Sequence, residues 1–248
     1  MFQHSLNGVV ALLAILLCGQ AQAAITLSST RVIYEGDKKE ASVTVRNVGS
    51  DEILIQSWLD GDRSGTPSGS IPFAITPPLA HMGAHSRQVL RILFQGSGVP
   101  TDKESVFWLN VQQIPKAPES TNVLQLAIRQ RIKFFYRPAG LSGKPKDAPG
   151  ALTWQAERDG KNSGVRVNNP SQYHVTITDL QVKGSDYTSA PITNFMIAPG
   201  ASMFIKIPEL PAAHSLTLSA HPINDFGAKE LYSAPLGSAT LKLEPSKQ

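Results

Sequence analysis

An apolar row followed at once by a basic row is the pattern in this chain with the most chemical potential. In Asn122-Val123-Leu124-Gln125-Leu126-Ala127-Ile128 the side chains of Leu124, Leu126 and Ile128 share one face of an extended strand, because strand side chains alternate with a period of two. Such a row can pack into the core of its own domain. It can also lie on an edge strand, where the apolar side chains fill pockets on another protein and the backbone extends that protein's sheet. The pattern fits both. Beyond it, Arg129, Arg131, Lys133 and Arg137 carry the opposite parity. That basic row is either a solvated strand face or a carboxylate site, where charge-assisted hydrogen bonds contribute about 1.5–3 kcal/mol each.

Catalytic chemistry finds no comparable support. His81 and His85 are four apart, a spacing that joins two ligands on one metal only if the segment is helical. Met82-Gly83-Ala84, between a proline-rich turn and a strand, argues against a helix, so no metal site is expected. His174, His214 and His221 stand apart from one another and read as surface or packed residues. Leu141-Ser142-Gly143-Lys144 lacks the upstream glycine and the strand-to-helix setting of a phosphate-binding loop, and no nucleophile elbow or dinucleotide motif is present. The expectation is a protein that is not an enzyme and needs no cofactor.

The elements that must position these residues read as strands. Ala41 to Arg46 alternates, with Val43 and Val45 opposite Ser42, Thr44 and Arg46. Similar runs are Ile25–Tyr34, Ile53–Trp58, Val89–Phe94, Val106–Val111, Gly164–Val167, Tyr173–Ile177, Ser202–Ile207 and Ser215–Ser219, separated by clusters of Gly, Pro, Asn, Asp and Ser. No window shows a helical apolar period. Short strands punctuated by turns predict an all-β sandwich or barrel. Asn122 to Arg137 reads as one continuous strand of roughly 50 Å, about twice the usual length. The Gly-, Pro- and Lys-rich stretch from Ala139 to Gly150 then reads as a hinge, which divides the chain near residue 143.

The first residues read as an address. Val9 to Leu17 is an apolar run shorter than the roughly 20 residues of a membrane span, and Ala21-Gln22-Ala23 offers small residues for cleavage after Ala23. A lipoprotein anchored at Cys18 is the competing reading, disfavoured by the bulky Leu17 before it. Residues 1–23 carry no Lys or Arg and hold the only cysteine, so the mature chain would have no disulfide and no thiolate metal site. It would also carry the whole net charge of +4. That excess suits an anionic partner, but it is too small and scattered for nucleic acid.

Five stretches, in order along the chain, carry a family resemblance. They are Ser29-Thr30-Arg31-Val32-Ile33-Tyr34, Ile75-Thr76-Pro77-Pro78, Asp102-Lys103-Glu104-Ser105-Val106-Phe107-Trp108, Arg131-Ile132-Lys133-Phe134-Phe135-Tyr136-Arg137-Pro138, and Asn169-Pro170 with Ile223-Asn224-Asp225-Phe226-Gly227. Together they resemble the PapD-like periplasmic pilus and fimbrial chaperones, in both domains.

The resemblance implies two immunoglobulin-like β-sandwich domains in an L shape, residues 24–142 and 143–248, behind a signal peptide at 1–23. It implies that Arg31 and Lys133 bind the C-terminal carboxylate of a pilus subunit. Leu124, Leu126 and Ile128 would act as a donor strand that completes the subunit's fold, and Glu104, Arg137 and Asp225 would form a salt-bridge network between the domains. The implied setting is the periplasm, with pilus subunits and an outer-membrane usher as partners and no membrane insertion after signal cleavage. Weak self-association through the donor strand is a further expectation, because an exposed edge can pair with a second copy. The short segment Ile114–Thr121 and the missing cysteine pair place the chain with the short-loop branch, and Lys103 stands where Arg is frequent. A secreted sandwich that binds a ligand or matrix through its loop tips is the alternative. It would not depend on Arg31 and Lys133 together.

Overall fold

The computed structural model describes residues 25–61, 71–117, 122, 124–159, 162–211, 216–237 and 239–246. The first half contains β1 (Ile25–Leu27), β2 (Arg31–Glu35), β3 (Ala41–Asn47), β4 (Ile53–Gly61), β5 (Phe73–Thr76), β6 (Leu79–Met82), β7 (Arg87–Phe94), β8 (Ser105–Pro115) and β9 (Arg129–Arg137). They form a sheet of order β1-β3-β7-β5 and a second of order β2-β9-β8-β4-β6. The alternation along the sequence explains the layers. Val43 and Val45 of β3 and Leu90 and Ile92 of β7 point inward, while Ser42, Arg46 and Arg91 face solvent.

The second half contains β10 (Thr153–Asp159), β11 (Asn162–Asn168), β12 (Val175–Lys183), β13 (Ile192–Ile197), β14 (Ser202–Lys206), β15 (Leu216–Pro222), β16 (Tyr232–Leu236), β17 (Leu241–Lys242) and β18 (Glu244–Pro245). Their sheets have the orders β14-β11-β10-β17 and β13-β12-β15-β16-β18. Each half closes around its own core, with Phe134 and Leu109 central to the first and Trp154 and Leu180 to the second. The fold is thus all-β, with two immunoglobulin-like sandwiches. No helix among the described residues is long and apolar enough to cross a membrane.

Two runs expected as single strands are broken. Ile25–Tyr34 splits at residues 28–30, where Ser28 exchanges hydrogen bonds with Thr44: its N–H donates to Thr44 O, and its Oγ accepts from Thr44 N. The chain thereby leaves the first sheet, and β2 joins the second, parallel to β9. Period-two patterning does not reveal such a change of sheet. The expected long strand from Asn122 is also shorter, since only Arg129–Arg137 is a strand. β8 pairs with β9 up to Gln112↔Arg129, and Gln113 N still donates to Ile128 O at 2.9 Å. Pro115 at the end of β8 has no N–H to continue the ladder.

Between the halves, the stretch expected as a hinge is partly helical. A 3-10 turn at Pro145–Asp147 runs into a helical turn at Ala148–Ala151, with Ala148 in the second core. Pro145 and Pro149 sit in first turns, where a missing N–H costs nothing.

The first core contains a cluster of aromatic rings. Phe134 is fully buried, and its ring lies edge-on to Phe73 at 5.0 Å, with Phe107 at 6.1 Å and Tyr34 at 6.3 Å. Phe134→Ala is expected to lower the unfolding free energy by about 3–5 kcal/mol, read by urea denaturation. A cost below about 1 kcal/mol would show that the ring cluster collapses into the cavity.

Candidate functional site

The parallel pairing of β2 with β9 puts Arg31 opposite Lys133 and Glu35 opposite Arg137. Period-two alternation sends these four side chains to the face turned toward the second sandwich. Lys133 Nζ donates to Thr176 Oγ1 at 2.9 Å, and Arg31 Nη1 donates to the Ile223 carbonyl at 3.4 Å. Thr176 and Ile223 are themselves joined, Ile223 N to Thr176 O at 3.0 Å. The two cations therefore end at adjacent points on the second sandwich, against neutral oxygens. Arg31 Nε is buried without a hydrogen-bond partner among the described residues. Burial pushes the Arg31 guanidinium below its ordinary value, opposed by the negative charge of Asp225 and Glu104. It remains a cation.

Trp108 is opposite Lys133 in the β8–β9 register. Its ring lies 4.0 Å from the Arg131 guanidinium and 5.9 Å from Lys133 Nζ, and the Phe135 ring lies 6.0 Å from the Arg31 guanidinium. Aromatic faces attract cations, so these rings hold the charged groups in place. The basic row accordingly has three environments: Arg129 and Arg131 are exposed, Lys133 is half-buried, and Arg137 is buried.

Arg137 joins the two halves. Its Nε donates to Glu104 Oε1 at 2.9 Å, while Nη1 and Nη2 grip Asp225 Oδ2 and Oδ1, each at 2.9 Å. The Glu104 side chain is 1% exposed. Two groups missed from the sequence complete the cluster. Glu35 accepts from Arg137 Nη1 at 3.2 Å, and His174 donates to Glu104 Oε2 through its backbone N at 2.8 Å, with its ring Nδ1 at 2.9 Å from the same oxygen. The strand register opposite Arg137 could have flagged Glu35; His174 had no such signal. Burial works to lower the Arg137 value, but the hydrogen bonds to Asp225 and the charge of Glu104 outweigh it, so the net shift is upward. Lys103, next to Glu104, is exposed.

The apolar row lies farther along the chain that forms β9. Leu124 is 88% exposed and Leu126 is 70% exposed, and Ile128 is half-buried beside β8. The reading in which this row packs into its own core is corrected here: Leu124 and Leu126 lie outside it. Among the described residues, 124–127 pair with no strand, and Gln125 Nε2 donates to the Lys116 carbonyl. Val123, between them and Asn122, is outside the described residues.

His81 and His85 are not presented on a helix. His81 sits on β6 with Nε2 3.1 Å from Glu52, and His85 occupies a turn at φ 55°. Among the described residues no group of three or more His, Cys, Asp or Glu is arranged to hold a metal.

Comparison with known proteins matches this geometry to one family. Residues 24–142 match the model described as "Pili and flagellar-assembly chaperone, PapD N-terminal domain", and residues 147–244 match "Pili assembly chaperone PapD, C-terminal domain". YadV of Escherichia coli (strain K12), described as a probable fimbrial chaperone, is 41% identical over 83% of this chain and 87% of its own. The crystal structure of the YadV chaperone superposes with a TM-score of 0.74, covering 86% of this chain and 100% of that one at 38% identity. The Salmonella enterica SafB chaperone, solved in complex with the SafA pilin, gives a TM-score of 0.69 at 25% identity over 88% of this chain and 99% of that one. With both sandwiches matched in order and a curated fimbrial chaperone so similar over most of its length, this chain belongs to the PapD-like family of pilus assembly chaperones.

Proposed function

We propose that this protein captures pilus subunits in the periplasm by anchoring their C-terminal carboxylate on Arg31 and Lys133 and lending them residues 124–128 as a donor strand. The observation that carries this reading is the run of exposed apolar side chains with an unpaired backbone that leads into the cationic pair. From Leu124 to Lys133 the distance is about 30 Å along an extended chain, so a subunit strand anchored at the cations would lie beside the apolar row. Exchange of a neutral oxygen for a carboxylate strengthens each contact, because charge-assisted hydrogen bonds are roughly twice as strong as neutral ones. A subunit whose sandwich lacks a strand exposes an apolar groove and an unpaired edge, and the donated segment covers both.

On this reading residues 1–23 are an export signal, 24–142 form the sandwich that carries the donor segment, and 143–248 form the second sandwich. Glu104, Arg137 and Asp225 fix the angle between them, with Glu35 and His174 as further members. The protein acts by binding, without catalysis, and passes its client to an outer-membrane usher. Family membership favours this over the ligand- or matrix-binding sandwich. Free copies could cap one another through the same segment.

Co-expression with fimbrial subunits, followed by pull-down from a periplasmic extract, tests the proposal. An equimolar complex is expected with the wild type. Leu126→Asp should leave the melting temperature unchanged, since the side chain is exposed, and should weaken capture at least about tenfold through loss of one buried apolar side chain. Equal capture by Leu126→Asp would remove the donor role of this row.

A further inference from the structure

Beside Arg31 lies a cavity of about 460 Å³ between the two sandwiches. A carboxylate on Arg31 would occupy only one end of a space this size, which is within the roughly 300–1,000 Å³ of small-ligand pockets. Its walls are largely apolar: Phe135 from β9, Pro145 and Pro149 from the helical turns, Val175 and Pro222 from β12 and β15, and Phe226. Lys144 and Lys146 stand exposed at its rim.

Phe226 has no structural duty. Its side chain is 96% exposed, yet its backbone is fixed from both sides. Asn224 Oδ1 accepts from Phe226 N and Ala228 N, each at 3.0 Å, and Asp225 is held by Arg137. Gly227, at φ 84°, brings the turn against β2's entry, where any Cβ would meet Thr30 Oγ1 at 2.7 Å. A rigidly presented, solvent-exposed aromatic ring over an apolar cavity is the arrangement of a binding anchor.

We infer that this cavity receives the side chain of the subunit's last residue, with Phe226 as its outer wall, so that the protein selects for a large, flat, apolar side chain at the client's C-terminus. The inference rests on the proposed carboxylate anchor at Arg31 and Lys133. The chemistry names the occupant: the side chain of a terminal residue leaves the chain one bond from the carboxylate carbon. A carboxylate held at the half-buried Arg31 therefore brings that side chain to the cavity that Arg31 lines. Glu104, Asp225 and Glu230 also line the cavity, the first two paired with Arg137 and the third bonded by Asn224, which leaves Arg31, Lys144 and Lys146 to complement the negative chain end while the apolar walls keep water from the side chain attached to it.

The test uses the purified protein and short synthetic peptides of alternating Thr and Val that end in Phe, Ala or Gly, each with a free or amidated carboxyl end, in a fluorescence-polarisation assay. The Phe-ended free acid should bind about tenfold or more tighter than the Gly-ended one, as expected for burial of one large apolar side chain. Phe226→Ala, which removes an exposed ring and should not change the melting temperature, should shrink that ratio while both peptides still prefer the free acid. Equal affinity of all three free acids, each still lost on amidation, would overturn the side-chain pocket and leave the anchor standing. Binding indifferent to amidation would overturn the anchor, and the pocket with it.

Discussion

Replacing Arg137 with Ala should lower the unfolding free energy by about 3–5 kcal/mol, the cost of removing one partner from a buried ion pair. The cause lies in what is left behind. Among the described residues Glu104, with its side chain 1% exposed, would retain only His174 as a side-chain polar partner, and Asp225 would lose both of its own bonds to the first sandwich. Arg137→Lys should fall between the two, because an ammonium keeps the charge but cannot grip Asp225 with two parallel bonds while bonding Glu104. The effect of Arg137→Ala should also show in solution scattering as a wider spread of angles between the sandwiches. Since the Arg137 value is raised, the stability it contributes is present below the ordinary arginine range and is lost only above it. This cation stays charged from acid to mildly alkaline pH. A stability change under about 1 kcal/mol in Arg137→Ala would mean that the cluster behaves as a solvated surface pair.

The double variant Arg31→Ala, Lys133→Ala should bind a subunit at least about 100-fold more weakly than the wild type, since each cation contributes about 1.5–3 kcal/mol through hydrogen bonds to a charged group. Folding should survive, because the hydrogen bonds lost to Thr176 and to the Ile223 carbonyl leave behind a neutral hydroxyl and a backbone oxygen, not an unpaired charge. Arg31→Ala and Arg137→Ala thus separate two properties: the first should weaken capture in a stable protein, and the second should weaken the protein itself. Subunit affinity retained in the double variant, measured by titration calorimetry, would remove the carboxylate anchor.

Much of the fold was legible because half-buried strands alternate. Ala41–Arg46 was expected and Ala41–Asn47 is observed, and Val106–Val111 lies inside Ser105–Pro115. β10 and β13 are weak in the sequence for different reasons: the inward set of the first is only Trp154 and the small Ala156, and the polar pair Thr193-Asn194 breaks the alternation of the second. The length of β9 was misjudged for a different reason: apolar alternation in 124–128 continues past the point where a partner strand is available. A strand needs both a suitable sequence and a neighbour, and only the first can be read from the chain itself.

The site was legible in a similar, partial way. The basic row was visible, but parity alone could not assign a solvated face to Arg131, a half-buried one to Lys133 and a buried one to Arg137. What separates them is depth against the second sandwich, a long-range property. His174 read as an isolated histidine because its partner, Glu104, is distant in sequence and meets it only across the junction.

Amide hydrogen exchange over residues 124–128, in the free protein and in its complex with a subunit, tests the donor-strand account most directly. The account predicts fast exchange in the free protein, where 124–127 pair with no strand among the described residues, and strong protection in the complex as those amides enter the subunit's sheet. A stable complex in which 124–128 exchange as fast as in the free protein would contradict it.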